Sequence, residues 1–222
     1  DLVLITMTGD INMYRNISTT SEIIIDPTVV SINTGTAGVF GQPIIEDLDN
    51  DGLKDLIIPD AGGNTEIYRN TSTVGSISFE LQAGATALMS TIVAQGDPIL
   101  DYISGDNQKD IILPDHSGVS GGTKIFRNIS DTTPGAITFT LDVTIPTINP
   151  ERIFAADFDD DGSPSATHGT KDLLITSYNA GFPARVYRNI SNIDNTTPTA
   201  TCAGSGGDSI CLDATYTTLD SI

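Results

Sequence analysis

Asp47-Leu48-Asp49-Asn50-Asp51-Gly52-Leu53-Lys54-Asp55-Leu56-Ile57-Ile58 crowds four carboxylates around one glycine and then runs straight into an apolar segment. Carboxylates this close repel one another unless a cation lies among them. An Asp-x-Asp-x-Asp-Gly loop can wrap a hard cation in oxygen ligands. Gly52 permits the backbone reversal that turns the Leu53 carbonyl inward. Asp47, Asp49, Asp51 and Asp55 are therefore read as side-chain ligands and Leu53 as a backbone ligand. So many protein oxygens suit the larger, more adaptable coordination sphere of Ca²⁺ rather than Mg²⁺. An EF-hand would place a bidentate Glu at the twelfth loop position and a helix beyond it. Here that position is Ile58, and Pro59 ends the segment, so it reads as a strand.

Working outward, the same elements recur. Asp1-Leu2-Val3-Leu4 leads to Tyr14-Arg15-Asn16-Ile17-Ser18, and Asp55-Leu56-Ile57-Ile58 to Tyr68-Arg69-Asn70-Thr71-Ser72. Asp110-Ile111-Ile112-Leu113 leads to Phe126-Arg127-Asn128-Ile129-Ser130, and Asp172-Leu173-Leu174-Ile175 to Tyr187-Arg188-Asn189-Ile190-Ser191. From Asp1 through Asp55 and Asp110 to Asp172 the intervals are 54, 55 and 62 residues, the last lengthened because Ser163 to Thr170 replaces Leu53. A fixed period of this length marks a repeat architecture.

Each repeat reads as four short strands. In the second these are Val39 to Glu46, Asp55 to Pro59, Thr65 to Asn70 and Ser76 to Gln82, with Asp60-Ala61-Gly62-Gly63-Asn64 as a turn. The Asp-Leu-Ile-Ile strand is apolar on both faces, which suits a sheet held between neighbouring sheets. The expected fold is all-β, built of β-propeller blades of four antiparallel strands. About three complete blades and part of another are expected, as a fragment of a larger propeller, with an open solenoid stack as the alternative. The boundaries read as a partial first blade at 1–38, blades at 39–91, 92–148 and 149–192, and a Thr/Gly/Ser-rich segment at 193–222. That last segment reads as a linker, an insertion or the start of another blade.

The fourth repeat restates the acidic loop as Asp157-Phe158-Asp159-Asp160-Asp161-Gly162, and with Asp172 it is expected to form a second Ca²⁺ site from Asp157, Asp159, Asp161 and Asp172. In the third repeat Tyr102 and Ser104 stand where carboxylates belong, so that loop reads as a turn held by local hydrogen bonds.

A net charge of −19 and an isoelectric point near 4.1 argue against nucleic acid or an anionic membrane surface as partner. No apolar run is long enough to span a bilayer, so direct membrane insertion is not expected. Cys202 and Cys211 lie close together, and both a local disulfide and two free thiols fit the spacing.

Other signals have structural readings. Asn16, Asn70, Asn128 and Asn189 open Asn-x-Ser sequons at one register position of each repeat, where Asn and Ser would end a strand and start a turn. Arg15, Arg69, Arg127 and Arg188 recur in register and are assigned to ion pairing or packing within each repeat. Gly118-Val119-Ser120-Gly121-Gly122 matches a nucleophile-elbow pattern but falls at a hairpin turn. His116 and His168 lack partners at metal-ligand spacing and read as loop residues.

The acidic loop before an apolar strand, Phe40-Gly41 upstream of it, and the Tyr-Arg-Asn-x-Ser strand that follows resemble the FG-GAP/VCBS repeat family, over residues 1 to 191. The run from Tyr68 to Phe79 is most similar to repeats of secreted bacterial surface proteins. The resemblance implies propeller blades with Ca²⁺ in the acidic loops and adhesion or binding of a glycan or protein ligand at a propeller face. The Gly-Ala-Pro part of the family's name-giving motif is absent after Phe40-Gly41. A secreted or cell-surface, non-enzymatic binding module is the expected function. The alternatives are an accessory or scaffold domain of a secreted polysaccharide-active or phosphodiester-cleaving enzyme, and a structural spacer in a surface filament.

Overall fold

The computed structural model describes residues 1–6, 9–33, 42–60, 65–94, 96–104, 106–118, 121–130, 135–147, 149–158, 171–177, 184–189 and 212–213. Its strands form four antiparallel sheets, each a meander in chain order. Sheet 1 comprises β1 (Leu2–Ile5), β2 (Asp10–Asn16) and β3 (Ile25–Asn33). Sheet 2 comprises β4 (Ile44–Glu46), β5 (Asp55–Ile58), β6 (Glu66–Asn70) and β7 (Phe79–Leu81). Sheet 3 comprises β8 (Ile99–Asp101), β9 (Asp110–Asp115), β10 (Gly122–Asn128) and β11 (Phe139–Ile145). Sheet 4 comprises β12 (Pro150–Ala156), β13 (Asp172–Ser177), β14 (Arg185–Asn189) and β15 (Leu212–Asp213). The all-β class follows, and the period of the sequence is the period of the sheets. Among the described residues the sheets do not close into a ring.

The register repeats as faithfully as the sequence does. Asn16 lies opposite Ile25, Asn70 opposite Phe79, Asn128 opposite Phe139 and Asn189 opposite Leu212. The fourth strand of sheet 4 is thus drawn from beyond residue 193. Cys202 and Cys211 fall outside the described residues.

Side chains of a strand point alternately to its two faces, and β5 and β9 bury both. Leu56 and Ile58 pack with Ile11, Met13 and Tyr68 between sheets 1 and 2. Ile57, between them in sequence, joins Ile67, Ile111, Leu113 and Phe126 between sheets 2 and 3. Ile112 and Ile125 face the other way, onto Ile153, Leu173, Ile175 and Tyr187 between sheets 3 and 4. A strand covered on both sides needs no polar alternation, which is why these segments read as continuous apolar runs. Truncating one such side chain to Ala costs about 2–5 kcal/mol.

The strands are shorter than the sequence suggests. The fourth strand of the second repeat begins at Phe79 rather than Ser76, because Thr73 and Ser76 exchange both backbone hydrogen bonds around Gly75, whose φ is 85°. A left-handed glycine reverses the chain there before the strand proper starts. The first strand extends over Ile44–Glu46, and the Val39 to Gly41 end of its expected range lies outside the described residues. One short helix, α1 (Ala83–Met89), joins sheet 2 to sheet 3 and buries Ala85 and Met89 in the core between them.

Candidate metal centre

The acidic loop joins β4 to β5, so strands flank it on both sides. Its own carboxylates shape it. Asp47 accepts from the Asp51 N–H at 3.1 Å and the Gly52 N–H at 2.9 Å, and Asp51 accepts from the Leu53 N–H at 2.8 Å. Such side-chain bonds to the backbone two to five residues on replace the missing sheet ladder. Asn50 and Gly52 take φ of 58° and 89°. No atom lies within 4 Å of where a Cβ on Gly52 would sit, so backbone conformation and not space demands glycine there.

One oxygen from each of Asp47, Asp49 and Asp55 lies within 4.8 Å of the other two. Oxygens at about 2.4 Å from a shared Ca²⁺ fall within that separation of one another. Three of the four expected side-chain ligands are therefore brought together. Asp51 lies outside that group, its Oδ2 accepting from the Arg69 Nη2 at 2.5 Å and its Oδ1 from the Leu53 N–H. The Arg69 Nε also donates to Asp49 at 2.6 Å. The loop thus has a resident cation of its own, a competitor of any metal for Asp49 and Asp51.

Asp55 does double duty. Its Oδ2 accepts from the Leu48 N–H and its Oδ1 from the Asn70 N–H, each at 2.8 Å. The same pair of bonds recurs at Asp110, from Ile103 at 3.1 Å and Asn128 at 2.9 Å, and at Asp172, from Phe158 at 3.0 Å and Asn189 at 2.8 Å. Asp1 accepts from the Asn16 N–H at 2.8 Å. The leading aspartate fastens the strand end to the loop whether or not the loop is acidic. Burial pushes the Asp55 carboxyl up to about 6, against these N–H donors and with the help of the Asp49 and Asp51 charges. A cation placed among them would reverse that penalty.

In the third repeat the turn is held by local bonds, as its sequence suggests. Ser104 N–H donates to Asp110 at 2.7 Å and Gln108 N–H to Asp106 at 2.8 Å. In the fourth, Asp157 is exposed and Asp172 buried, while Asp159 and Asp161 lie outside the described residues. Among the described residues, the Asp47 group is the one cluster of acidic side chains close enough to share an ion.

The sequence reading missed how the loops are joined across sheets. Lys109 pairs with Glu46 at 2.6 Å and Lys171 with Asp101 at 2.7 Å, each reaching from one sheet to the end of the first strand of the sheet before. Burial would raise the Glu46 carboxyl, but hydrogen bonds from Lys109 and Lys54 outweigh it and hold it at about 2. The signal was present as Lys54-Asp55, Lys109-Asp110 and Lys171-Asp172. Arg15, Arg69 and Arg127 do pair within their own sheets, with Asp26, with Asp49 and Asp51, and with Asp142. The elbow-like segment links antiparallel strands, Asp115 lying opposite Gly122, and half-buried His116 contacts the Pro150 carbonyl.

No family model, curated protein or solved structure matches this chain.

Proposed function

We propose that the chain is a Ca²⁺-binding β-propeller repeat module of a secreted or cell-surface protein, acting in adhesion or in binding a glycan or protein ligand. One observation carries the metal part of this reading: the converging oxygens of Asp47, Asp49 and Asp55, in a loop where burial already disfavours an uncompensated charge. The stacked four-stranded sheets and the resemblance of the repeats to the FG-GAP/VCBS family support the rest. Asp47, Asp49 and Asp55 would hold the ion, with Asp51 joining once Arg69 lets go. Bound Ca²⁺ would lower the repulsion among the loop carboxylates and fix the end of β5, so binding and folding would be linked.

The Arg69 contacts favour a second reading, in which the guanidinium closes the loop permanently and the sheets serve as a structural spacer. Calorimetric titration of the metal-stripped chain with Ca²⁺ separates the two. Saturable binding lost on Asp47→Asn with Asp49→Asn supports the first. Absence of binding, with melting unaffected by chelator, supports the spacer.

A further inference from the structure

A cavity of about 170 Å³ lies between sheets 2 and 3, where the end of β4 and the loop after it meet the loop after β8. Glu46 and Asn50 line it from the second repeat, and Tyr102, Asn107, Gln108 and Lys109 from the third. Both sheets that form it have all four strands. Two contacts span them beside it: Lys109 pairs with Glu46 at 2.6 Å, and the Asn128 amide donates to the Leu48 carbonyl at 2.9 Å. The walls are therefore held at a fixed separation before any ligand arrives.

Gln108 is the unusual group in this wall. It is 5% exposed, and its Oε1 accepts from the Ser130 N–H at 3.1 Å, which fixes the orientation of the amide. The Nε2 at the other end is buried and, among the described residues, has no acceptor. A buried amide donor left without a partner is costly, and native structures keep few of them. Such a group marks a place where something else supplies the acceptor.

The chemistry of the wall narrows what that is. Asn50 and Asn107 are exposed and add two amides, each with a donor pair and an acceptor, beside the Glu46 carboxylate. The Glu46 charge is already met by Lys109, whose ammonium also lies 5.7 Å from the centre of the Tyr102 ring. An anionic ligand would face that carboxylate, and an apolar one would strip water from the amides with nothing in return. A hydroxyl both donates and accepts, so a ring carrying several of them satisfies amides and carboxylate together. The volume lies below the about 300–1,000 Å³ that takes drug-sized ligands, which leaves room for a single ring and not for a chain of them.

We propose that this cavity binds one neutral hexopyranose unit, the Gln108 Nε2 donating to a sugar hydroxyl while Asn50, Asn107 and Glu46 engage others. This rests on the binding function proposed above and gives its glycan branch a place in the fold.

Methyl α-glucoside, methyl α-galactoside and methyl α-mannoside test this, each titrated into the full chain with Ca²⁺ present and followed through the side-chain amide signals in nitrogen-edited NMR spectra. Saturable binding of at least one is expected, with shifts of the Gln108 and Asn107 signals. Gln108→Glu keeps the oxygen that serves Ser130 and removes the donor, whereas Asn107→Ala alters an exposed position and leaves the core alone. Each is expected to weaken binding about tenfold. No saturable binding of any of the three, binding indifferent to both substitutions, or tighter binding of glucuronate than of methyl glucoside would overturn the proposal. Calorimetric titration of the same samples with Ca²⁺ keeps the metal reading apart: Ca²⁺ bound without sugar overturns this inference alone, and sugar bound without Ca²⁺ overturns the metal reading alone.

Discussion

The side-chain amide of Asn128 donates a 2.9 Å hydrogen bond to the backbone carbonyl of Leu48, tying the end of β10 to the acidic loop of the sheet before it. Both groups are buried. The Asn128 Oδ1 meanwhile accepts from the Ser130 N–H at 3.0 Å, so one side chain both turns its own chain and joins two sheets.

Asn128→Ala leaves the Leu48 carbonyl buried without its donor, a loss of about 1–3 kcal/mol. Asn70→Ala removes an exposed bond to Lys54 and is expected to cost well under that. Thermal unfolding of the two variants checks the order. At about 2–4 °C per kcal/mol for a chain of this size, the difference is measurable.

Calcium is expected to raise the melting temperature of the metal-stripped chain, by the equivalent of about 2.7 kcal/mol at a hundredfold excess over Kd. Arg69→Gln removes the cation that holds Asp49 and Asp51, so it is expected to tighten Ca²⁺ binding while lowering stability in chelator. Scanning calorimetry of both proteins, with Ca²⁺ and with chelator, reads both effects. Equal affinities would show that Arg69 does not compete.

Burial pushes the Asp110 carboxyl up to about 6 from an ordinary 3.8, with its backbone donors opposing and the Asp106 charge adding to it. Between those values the folded chain holds a proton that the unfolded chain releases. The contribution of Asp110 to stability therefore falls as pH rises from about 4 to about 6 and is level above. Glu46 acts with the opposite sign at lower pH, its ion pairs being lost from about 4.5 toward 2. Denaturant melts from pH 4 to 7 are expected to show a shallower decline for Asp110→Asn than for the parent, whatever the offset between them.

Glycans are not expected on Asn128 or Asn189. Each side-chain nitrogen is buried and committed to a carbonyl of the preceding sheet. Expression through a eukaryotic secretory route, followed by mass spectrometry of the sequon peptides, measures this. Occupancy at either site in folded protein would contradict the inter-sheet contact.

The period, the strand character of the Asp-Leu-Ile-Ile segments and the crowding of carboxylates around Gly52 were legible in the sequence because each is a local property. Alternation of side chains along a strand and the turn chemistry of Asp, Asn and Gly act over a few residues. That β5 and β9 are covered on both faces could be read from their unbroken hydrophobicity, although β1, equally apolar, leaves Leu2 and Leu4 exposed. Local rules also explain the third loop, where Tyr102 and Ser104 leave a turn held by Asp106 and Asp110.

Tertiary structure decided what each repeated residue does. Asp55 is one of the converging carboxylates, and its two oxygens also accept from the backbone N–H groups of Leu48 and Asn70. Arg69 reads in sequence as an ion-pairing or packing residue of its repeat, and the fold chooses its partners, Asp49 and Asp51. Asn128 and Leu48 are 80 positions apart, and only stacking of one sheet on the next makes them neighbours. Spacing along a chain specifies pleat and turn, whereas partnership between sheets depends on which faces stack, and that is settled by burial of both sides of strands such as β5 and β9 together.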